Sequence, residues 1–258
     1  MNWFIKLIVT FFAGMGAGLG TGFAGMSAAA VISPMLITFL HMDPFMAVGI
    51  ALSSDVLASA VSAYIYGKNK NLDIKNGFVM MASVLVFTVC GSYLASFLPS
   101  ATMGSFSVLM TFLLGVKFIV KPVMVTKERT QNRSMTKRII QSVLCGMVIG
   151  LICGFVGAGG GMMMLLILTS VLGYDLKTAI GTSVFVMAFT AFTGAVSHFA
   201  IAGRPDWFVW GLCVIFTLLW ARIAAKFANK ASAETLNRAT GVVLVILGVA
   251  IFVFSKLA

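Results

Sequence analysis

Charge is what this sequence has least of. Of its 258 residues 10% are charged, and the acids number 7 against 18 lysines and arginines. So few ionised side chains cannot clothe a water-soluble domain, which excludes a soluble enzyme or binding module. Histidine is almost absent, at 2, and neither His41 nor His198 has a ligand-type companion three or four residues away, so a zinc site is not expected. Cysteine is scarce as well. Cys90, Cys145, Cys153 and Cys213 all lie in apolar stretches with no CxxC pair, the pattern of small packing residues. An intramembrane protease needs a Ser-His or paired-Asp arrangement, whereas here one carboxylate lies in an apolar segment and no GxSxG-like elbow exists; GMSA at 25–28 is too weak a match. The chain is therefore not read as an enzyme, and no cofactor is implied.

What is abundant is apolar surface: 60% of residues are hydrophobic and the mean hydropathy is +1.06. Apolar runs and their punctuation predict ten segments, at 3–22, 26–40, 45–66, 77–97, 101–122, 138–155, 160–173, 176–201, 207–228 and 237–256. A run of about 20 residues matches a hydrocarbon core of about 30 Å, so the fold class is an all-α membrane protein. The second and seventh segments fall short of that length, and each comes just after a glycine-rich break. The first eighteen residues would also pass for a signal peptide, with Lys6 as the charged flank. A related copy of the glycine-rich stretch 13–25 recurs deep in the chain, which favours a mature helix.

On an alternating ten-segment topology the basic residues divide unevenly. Lys68, Lys70, Lys75, Lys117, Lys121, Lys127, Arg129, Arg133, Lys137, Arg138, Lys177, Arg222, Lys226, Lys230 and Arg238 fall at one face, and only Lys6, Arg204 and Lys256 at the other. That asymmetry predicts a cell-membrane protein with the central basic loop in the cytoplasm and both termini outside. Lys117 and Arg222 sit near enough to the boundary to snorkel, and Trp3, Trp207 and Trp210 suit an interfacial belt.

A shift of 132 residues lays AGMGAGLGTGFAG (13–25) on CGMVIGLICGFVG (145–157) without a gap, and the same frame carries Leu36, Leu40, Asp43, Ala47 and Gly49 onto Leu168, Leu172, Asp175, Ala179 and Gly181. This divides the chain into an N-terminal transmembrane repeat (1–122), a basic cytoplasmic linker (123–137) and a C-terminal transmembrane repeat (138–258). Five segments per half is an odd number, so the second copy enters from the opposite face. The expectation is an inverted repeat in which each half opens with a glycine-broken helical hairpin, either spanning or re-entrant. An old duplication without transport meaning is the bland alternative.

The breaks themselves, Gly20 to Ser27 and Gly154 to Gly161, are the first site candidates. Gly25, Ser27, Gly157, Gly159, Gly160 and Gly161 would let backbone approach a ligand, and the helices starting there would aim free N–H groups and a positive end at it, as suits an anion. Close helix packing is the competing reading, and it is accepted for Gly14, Gly18 and Gly22, which are spaced by four. Ser53, Ser54, Thr182 and Ser183 are further substrate-binding candidates, unless they only bond back along their own helices. Asp55 is the ion-coupling candidate, because a carboxylate at membrane depth is functional by default; a protonated Asp bonded to a neighbouring Ser is the structural alternative. The repeat puts Met187 in its place in the second half.

The paired GxxxGxxxGFxG motifs, Gly159-Gly160-Gly161, Pro34, the run LKTAIGTSVF at 176–185 and the loop YGKNKNLDIKNG at 66–77 together resemble the TauE/SafE family, the sulfite exporter-like permeases. The similarity covers essentially the whole chain. It departs at Ser27-Ala28-Ala29, where a glycine triplet would be expected, and at Leu166, which stands where the first half has Pro34. The resemblance implies a multipass permease for small anions, often sulfur oxyanions such as sulfite or sulfonates, driven by a proton or other ion gradient. The implied partners are that anion, the coupling ion and the lipid bilayer, with a homo-oligomer possible and no nucleic acid. A passive anion channel on the same scaffold is the alternative, and a sensor without flux ranks last.

Overall fold

Four of the chain's seven acids are spent on starting helices. In the computed structural model, which describes residues 3–95, 112–113, 116–122, 135–156 and 160–257, Asp43 accepts from the Met46 N–H at 3.0 Å and Asp175 from the Thr178 N–H at 3.1 Å. Asp73 accepts from the Asn76 N–H at 3.2 Å, and Asp206 from Phe208 and Val209 at 3.1 and 3.3 Å. Each cap satisfies backbone donors that a helix start otherwise leaves open, worth about 0.5–2 kcal/mol. The helices they begin are α3 (Pro44–Lys68), α4 (Ile74–Ala95), α7 (Leu176–Ala202) and α8 (Trp207–Lys230). The rest are α1 (Trp3–Ala24), α2 (Ala29–Leu40), α5 (Met135–Val156), α6 (Gly160–Ser170) and α9 (Ala233–Leu257). No strand occurs among the described residues. Most of the expected segment 101–122, and most of the linker, lie outside them.

Among the described residues, five helices are long and apolar enough to cross a membrane: Trp3–Ala24, Met46–Lys68, Leu176–Ala200, Trp207–Lys230 and Ala233–Ala250. Helix α2 has 12 residues and α6 has 11, roughly 18 and 17 Å at 1.5 Å each, so neither alone covers a core of about 30 Å. Large apolar side chains face outward along the long helices, among them Ile215, Ile223, Val86 and Ile246. Lipid rather than water is the solvent such a surface matches. The chain is thus a multipass helical membrane protein.

Packing follows small residues. Helix α1 lies along α8, α4 along α5, and α3 against both α7 and α8. A Cβ built on Gly18 would lie 2.6 Å from the Thr217 carbonyl oxygen, 2.7 Å from Trp220 Cβ and 2.7 Å from the Ala221 nitrogen. A Cβ on Gly150 would meet the Val84 oxygen, Phe87 Cβ and Thr88 nitrogen at 2.6, 2.8 and 3.1 Å, the same three-atom pattern on α4. These glycines let two backbones touch, and backbone cannot swing aside. Gly18→Ala should therefore lower the thermal midpoint in detergent by an amount equivalent to about 1–3 kcal/mol, read from an unfolding curve beside that of a control, Gly211→Ala, whose Cβ would meet nothing within 4 Å.

At the start of α1, Lys6 Nζ sits 2.6 Å from Asp206 Oδ2 and so ties α1 to the α8 cap. The Lys6 hydrogen bond holds the Asp206 carboxyl below the usual carboxylate range, against a smaller opposing effect of burial. A depressed carboxyl stabilises the fold above its ordinary value of 3.8 and loses that contribution as the pH falls through its lowered value. Both side chains are partly exposed, at 25% and 35%, so the tie is worth less than about 1 kcal/mol. Asp206→Asn should flatten the acid limb of the thermal midpoint against pH while shifting the neutral plateau slightly downward.

Candidate functional site

Helix α1 ends because Gly25 turns left-handed, at φ +60°, a conformation that disfavours residues with a Cβ. The Met26 N–H then donates back to the Gly20 carbonyl at 3.2 Å, and the Thr21 hydroxyl to the Met26 carbonyl at 2.9 Å, folding the chain onto the end of α1 before α2 starts. Every residue from Gly20 to Val31 is buried.

Asp55, fully buried near the middle of α3, reaches this break. Its Oδ2 accepts from the Ser27 hydroxyl at 2.9 Å and from the Ala28 N–H at 3.1 Å, and its Oδ1 from the Ser59 hydroxyl at 2.8 Å. The N–H groups expected to point freely at an anion here are largely engaged: Ala28 donates to Asp55, Ala29 to the Ser27 hydroxyl at 3.3 Å and Ala30 to the Ser27 carbonyl at 3.2 Å. A side-chain carboxylate from α3 occupies the positive end of α2. The reason is tertiary, since only the packing of α2 on α3 brings residues 28 apart in sequence into contact.

The start of α6 lies directly against the first break. A Cβ on Gly161 would stand 2.5 Å from the Gly25 oxygen and 3.0 Å from the Ser27 nitrogen, so α6 begins in backbone contact with the first break. Ser183 of α7 bridges them, its hydroxyl 3.0 Å from the Gly25 carbonyl oxygen and 3.5 Å from that of Gly161. Gly160 opens α6, while Gly157 and Gly159 lie outside the described residues.

The other candidates separate from this cluster. Ser54 bonds back to the Ile50 carbonyl at 2.8 Å. Ser53 donates to the same carbonyl at 2.8 Å and accepts from Trp210 Nε1 at 2.9 Å. Trp210, expected in an interfacial belt, thus turns inward, whereas Trp3 and Trp207 are exposed. Thr182 accepts from the Asp73 N–H at 3.2 Å and so braces the start of α4. Asp55, Ser27, Gly25, Gly161 and Ser183 come together, and Ser59 and Ala28 join them without having been expected, while Tyr66, farther along α3, donates to the Gly22 carbonyl of α1. Ser59 and Tyr66 carried a readable signal, because four and eleven residues after Asp55 share its helical face. Ala28 carried none.

Chemically, the cluster offers a carboxylate ringed by three donors at membrane depth, and none of its hydrogen-bond partners is a cation. Such a group can take up and release a proton, and in doing so it changes what holds the start of α2.

Comparison with known proteins agrees with a transport role. The chain is 24% identical over 213 residues to the probable membrane transporter protein YdhB of Bacillus subtilis, covering 82% of this chain and 86% of that one. It is 23% identical over 244 residues to the probable membrane transporter protein YunE of the same organism, covering 90% and 89%. A probable membrane transporter protein of Methanocaldococcus jannaschii is 27% identical over 204 residues, covering 75% and 71%. No solved structure matches significantly. The family described as sulfite exporter TauE/SafE matches residues 10–251. With nearly the whole chain inside that match, this protein belongs to the TauE/SafE family of membrane transporters.

Proposed function

We propose that this protein is a secondary transporter of small anions of the sulfur oxyanion class, sulfite or an organosulfonate, coupled to an ion gradient through protonation of Asp55. The observation that carries this reading is the position of Asp55: a buried carboxylate holding the Ser27 hydroxyl and the Ala28 N–H. Those donors at a positive helix end are what an oxyanion would seek. Carboxylate and substrate compete for them, so protonating Asp55 frees the donors and favours anion binding. Gly25, Gly161 and Ser183 form the adjoining backbone wall. Thr182, Ser53 and Ser54, chain neighbours of Ser183 and Asp55, turn to other partners and contribute through the helices they brace.

Alternating access needs two related halves, here 1–122 and 138–258 joined by the linker 123–137. Several features repeat at the expected spacing and support an inverted pair. Helix α1 starts at Trp3 and α5 at Met135, and α3 starts at Pro44 and α7 at Leu176. Left-handed His41 and Gly173 end the two short helices, and the Met42 N–H reaches Leu36 as the Tyr174 N–H reaches Leu168. The pairing of α1 with α8 mirrors that of α5 with α4. The clustering of basic residues supports a cytoplasmic linker in the cell membrane.

Purified protein in liposomes should take up or release labelled sulfite saturably, at a rate set by the imposed pH gradient. Labelled substrate should exchange against an opposing gradient, as a carrier allows. Flux that never saturates and shows no counterflow would replace the carrier with a channel. Flux of sulfite no faster than in protein-free vesicles would overturn the substrate class.

A further inference from the structure

Below Asp55, one face of α3 is polar all the way to its end. Asp55, Ser59, Ser62 and Tyr66 stand at successive turns of a single stripe, all fully buried. Ser59 donates to Asp55 at 2.8 Å, and Tyr66 donates to the Gly22 carbonyl of α1 at 2.8 Å. Between them, the Ser62 hydroxyl has no partner among the described residues, and neither does that of Thr217 on α8, itself fully buried.

These two unpaired hydroxyls lie on helices that are tied to each other at two levels. Helices α3 and α8 are tied at one end by Trp210 and Ser53, at 2.9 Å. At the other end Gly22 joins them, accepting from Tyr66 while packing its backbone on Ala221 and Ala225. Ser62 lies between the ties on α3 and Thr217 between them on α8, and Thr217 backbone touches Gly14 and Gly18 of α1. Buried hydroxyls normally find a partner. Two without one, Ser62 standing a single helix turn from the Ser59 that bonds Asp55, mark a place where a water is accommodated.

We infer that Ser59, Ser62 and Thr217 form the path by which a proton reaches Asp55 from the Tyr66 end of α3, which makes the coupling ion a proton rather than a metal cation. This rests on the coupling role proposed for Asp55. The donors around Asp55 suit it: an N–H and two hydroxyl hydrogens already point at the carboxylate, and the Ala28 N–H cannot coordinate a cation. In the transfer step Ser59 gives its hydroxyl proton to Oδ1 while its oxygen accepts one from a water held at Ser62 and Thr217. One O–H bond breaks and one forms at Ser59, the water regains the proton it gave from a hydronium ion arriving from the Tyr66 end, and the net change is hydronium plus carboxylate to water plus carboxylic acid. No other titratable group intervenes. On the elements packed against α3 these are Lys6 of α1, Lys177 and His198 of α7, and Cys213, Arg222, Lys226 and Lys230 of α8, with none on α2; α3 itself adds Tyr64, Tyr66 and Lys68. None of them is hydrogen-bonded to Asp55.

The test uses the full chain in liposomes with sulfite as probe, comparing flux driven by a pH gradient with counterflow at equal pH on both sides. Ser62→Ala combined with Thr217→Val keeps side-chain shape and removes both hydroxyls. The pH-driven rate should fall at least about tenfold relative to the counterflow rate, with the thermal midpoint held or raised. Equal slowing of both rates would mean a packing effect and overturn the path, as would a pH-driven rate like that of the unaltered chain. A sodium gradient that drives flux as well as a proton gradient would overturn the proton assignment. Asp55→Asn run in parallel separates the two levels: if its flux still follows the pH gradient, the coupling role itself is wrong, and if it no longer does while that of the double variant still does, the path alone is.

Discussion

Asp55→Ala should both destabilise the protein and abolish coupled transport, whereas Asp55→Asn should abolish coupling alone. Three donors converge on the carboxylate. In the alanine variant the two serine hydroxyls can rotate toward other acceptors, but the Ala28 N–H direction is set by the backbone. An unpaired buried donor costs about 1–3 kcal/mol, and the surrounding cavity adds to that. The thermal midpoint in detergent should drop accordingly, and the start of α2 should loosen. Asparagine keeps an oxygen for Ser27 and Ala28, and its amide can donate to the Ser59 oxygen once that hydroxyl turns. Its midpoint should stay within about 1 kcal/mol of the unaltered chain, while its flux should no longer follow an imposed pH gradient. An alanine variant with unchanged midpoint and unchanged pH response would remove Asp55 from both roles.

Gly161→Ala should be the most damaging methyl group that can be added at the meeting of the two breaks. The new Cβ would stand 2.5 Å from the Gly25 oxygen, 3.0 Å from the Ser27 nitrogen and 3.1 Å from Met26 Cα, all of them backbone atoms. None can turn aside, so the breaks must separate. Separation stretches the Ser183 bond to Gly25 and moves Ser27 relative to Asp55. Overpacking of this kind costs typically about 1–3 kcal/mol. Transport should suffer more than stability, since the displaced atoms are those proposed to meet the anion. Ser183→Ala is the milder partner experiment: it deletes one hydrogen bond, worth about 1 kcal/mol, and leaves the glycine contact intact. Flux assays beside unfolding curves rank the two. A Gly161→Ala variant that transports normally while Ser183→Ala does not would show that the hydroxyl, and not the backbone contact, holds the breaks together.

Much of the architecture is legible in the residues alone. Hydropathy locates the helices α1 to α4 and α5 to α9 within a few residues, because a segment in lipid must be helical to satisfy its own backbone. The shortness of α2 and α6 is readable from Gly25 and Gly160. The spacing of Gly14, Gly18 and Gly22 announces a backbone contact, though not that α8 supplies the other side. Asp43 and Asp175 match as repeats, but the repeat does not mark them as helix starts; an acid just before an apolar run is the signal that would have.

The site is legible only in part. Asp55 stands out from the sequence alone, since an acid among apolar residues costs too much to be idle. Ser53, Ser54 and Thr182 look equally eligible beside it, yet they turn to Ile50, Trp210 and Asp73. Which hydroxyl meets which acceptor depends on helix rotation, and every face of a lipid-embedded helix is apolar enough to leave that rotation unmarked. The glycine breaks can be placed by sequence because one residue's missing Cβ is a local property. That a carboxylate from α3 occupies the end of α2, and that Gly161 rests on Gly25, are contacts between segments 27 or more residues apart. Local chemistry determined the helices, the breaks and the one buried charge. Only the packing of α2 on α3 decided what that charge holds, because hydrogen bonds depend on distances that the order of residues does not encode.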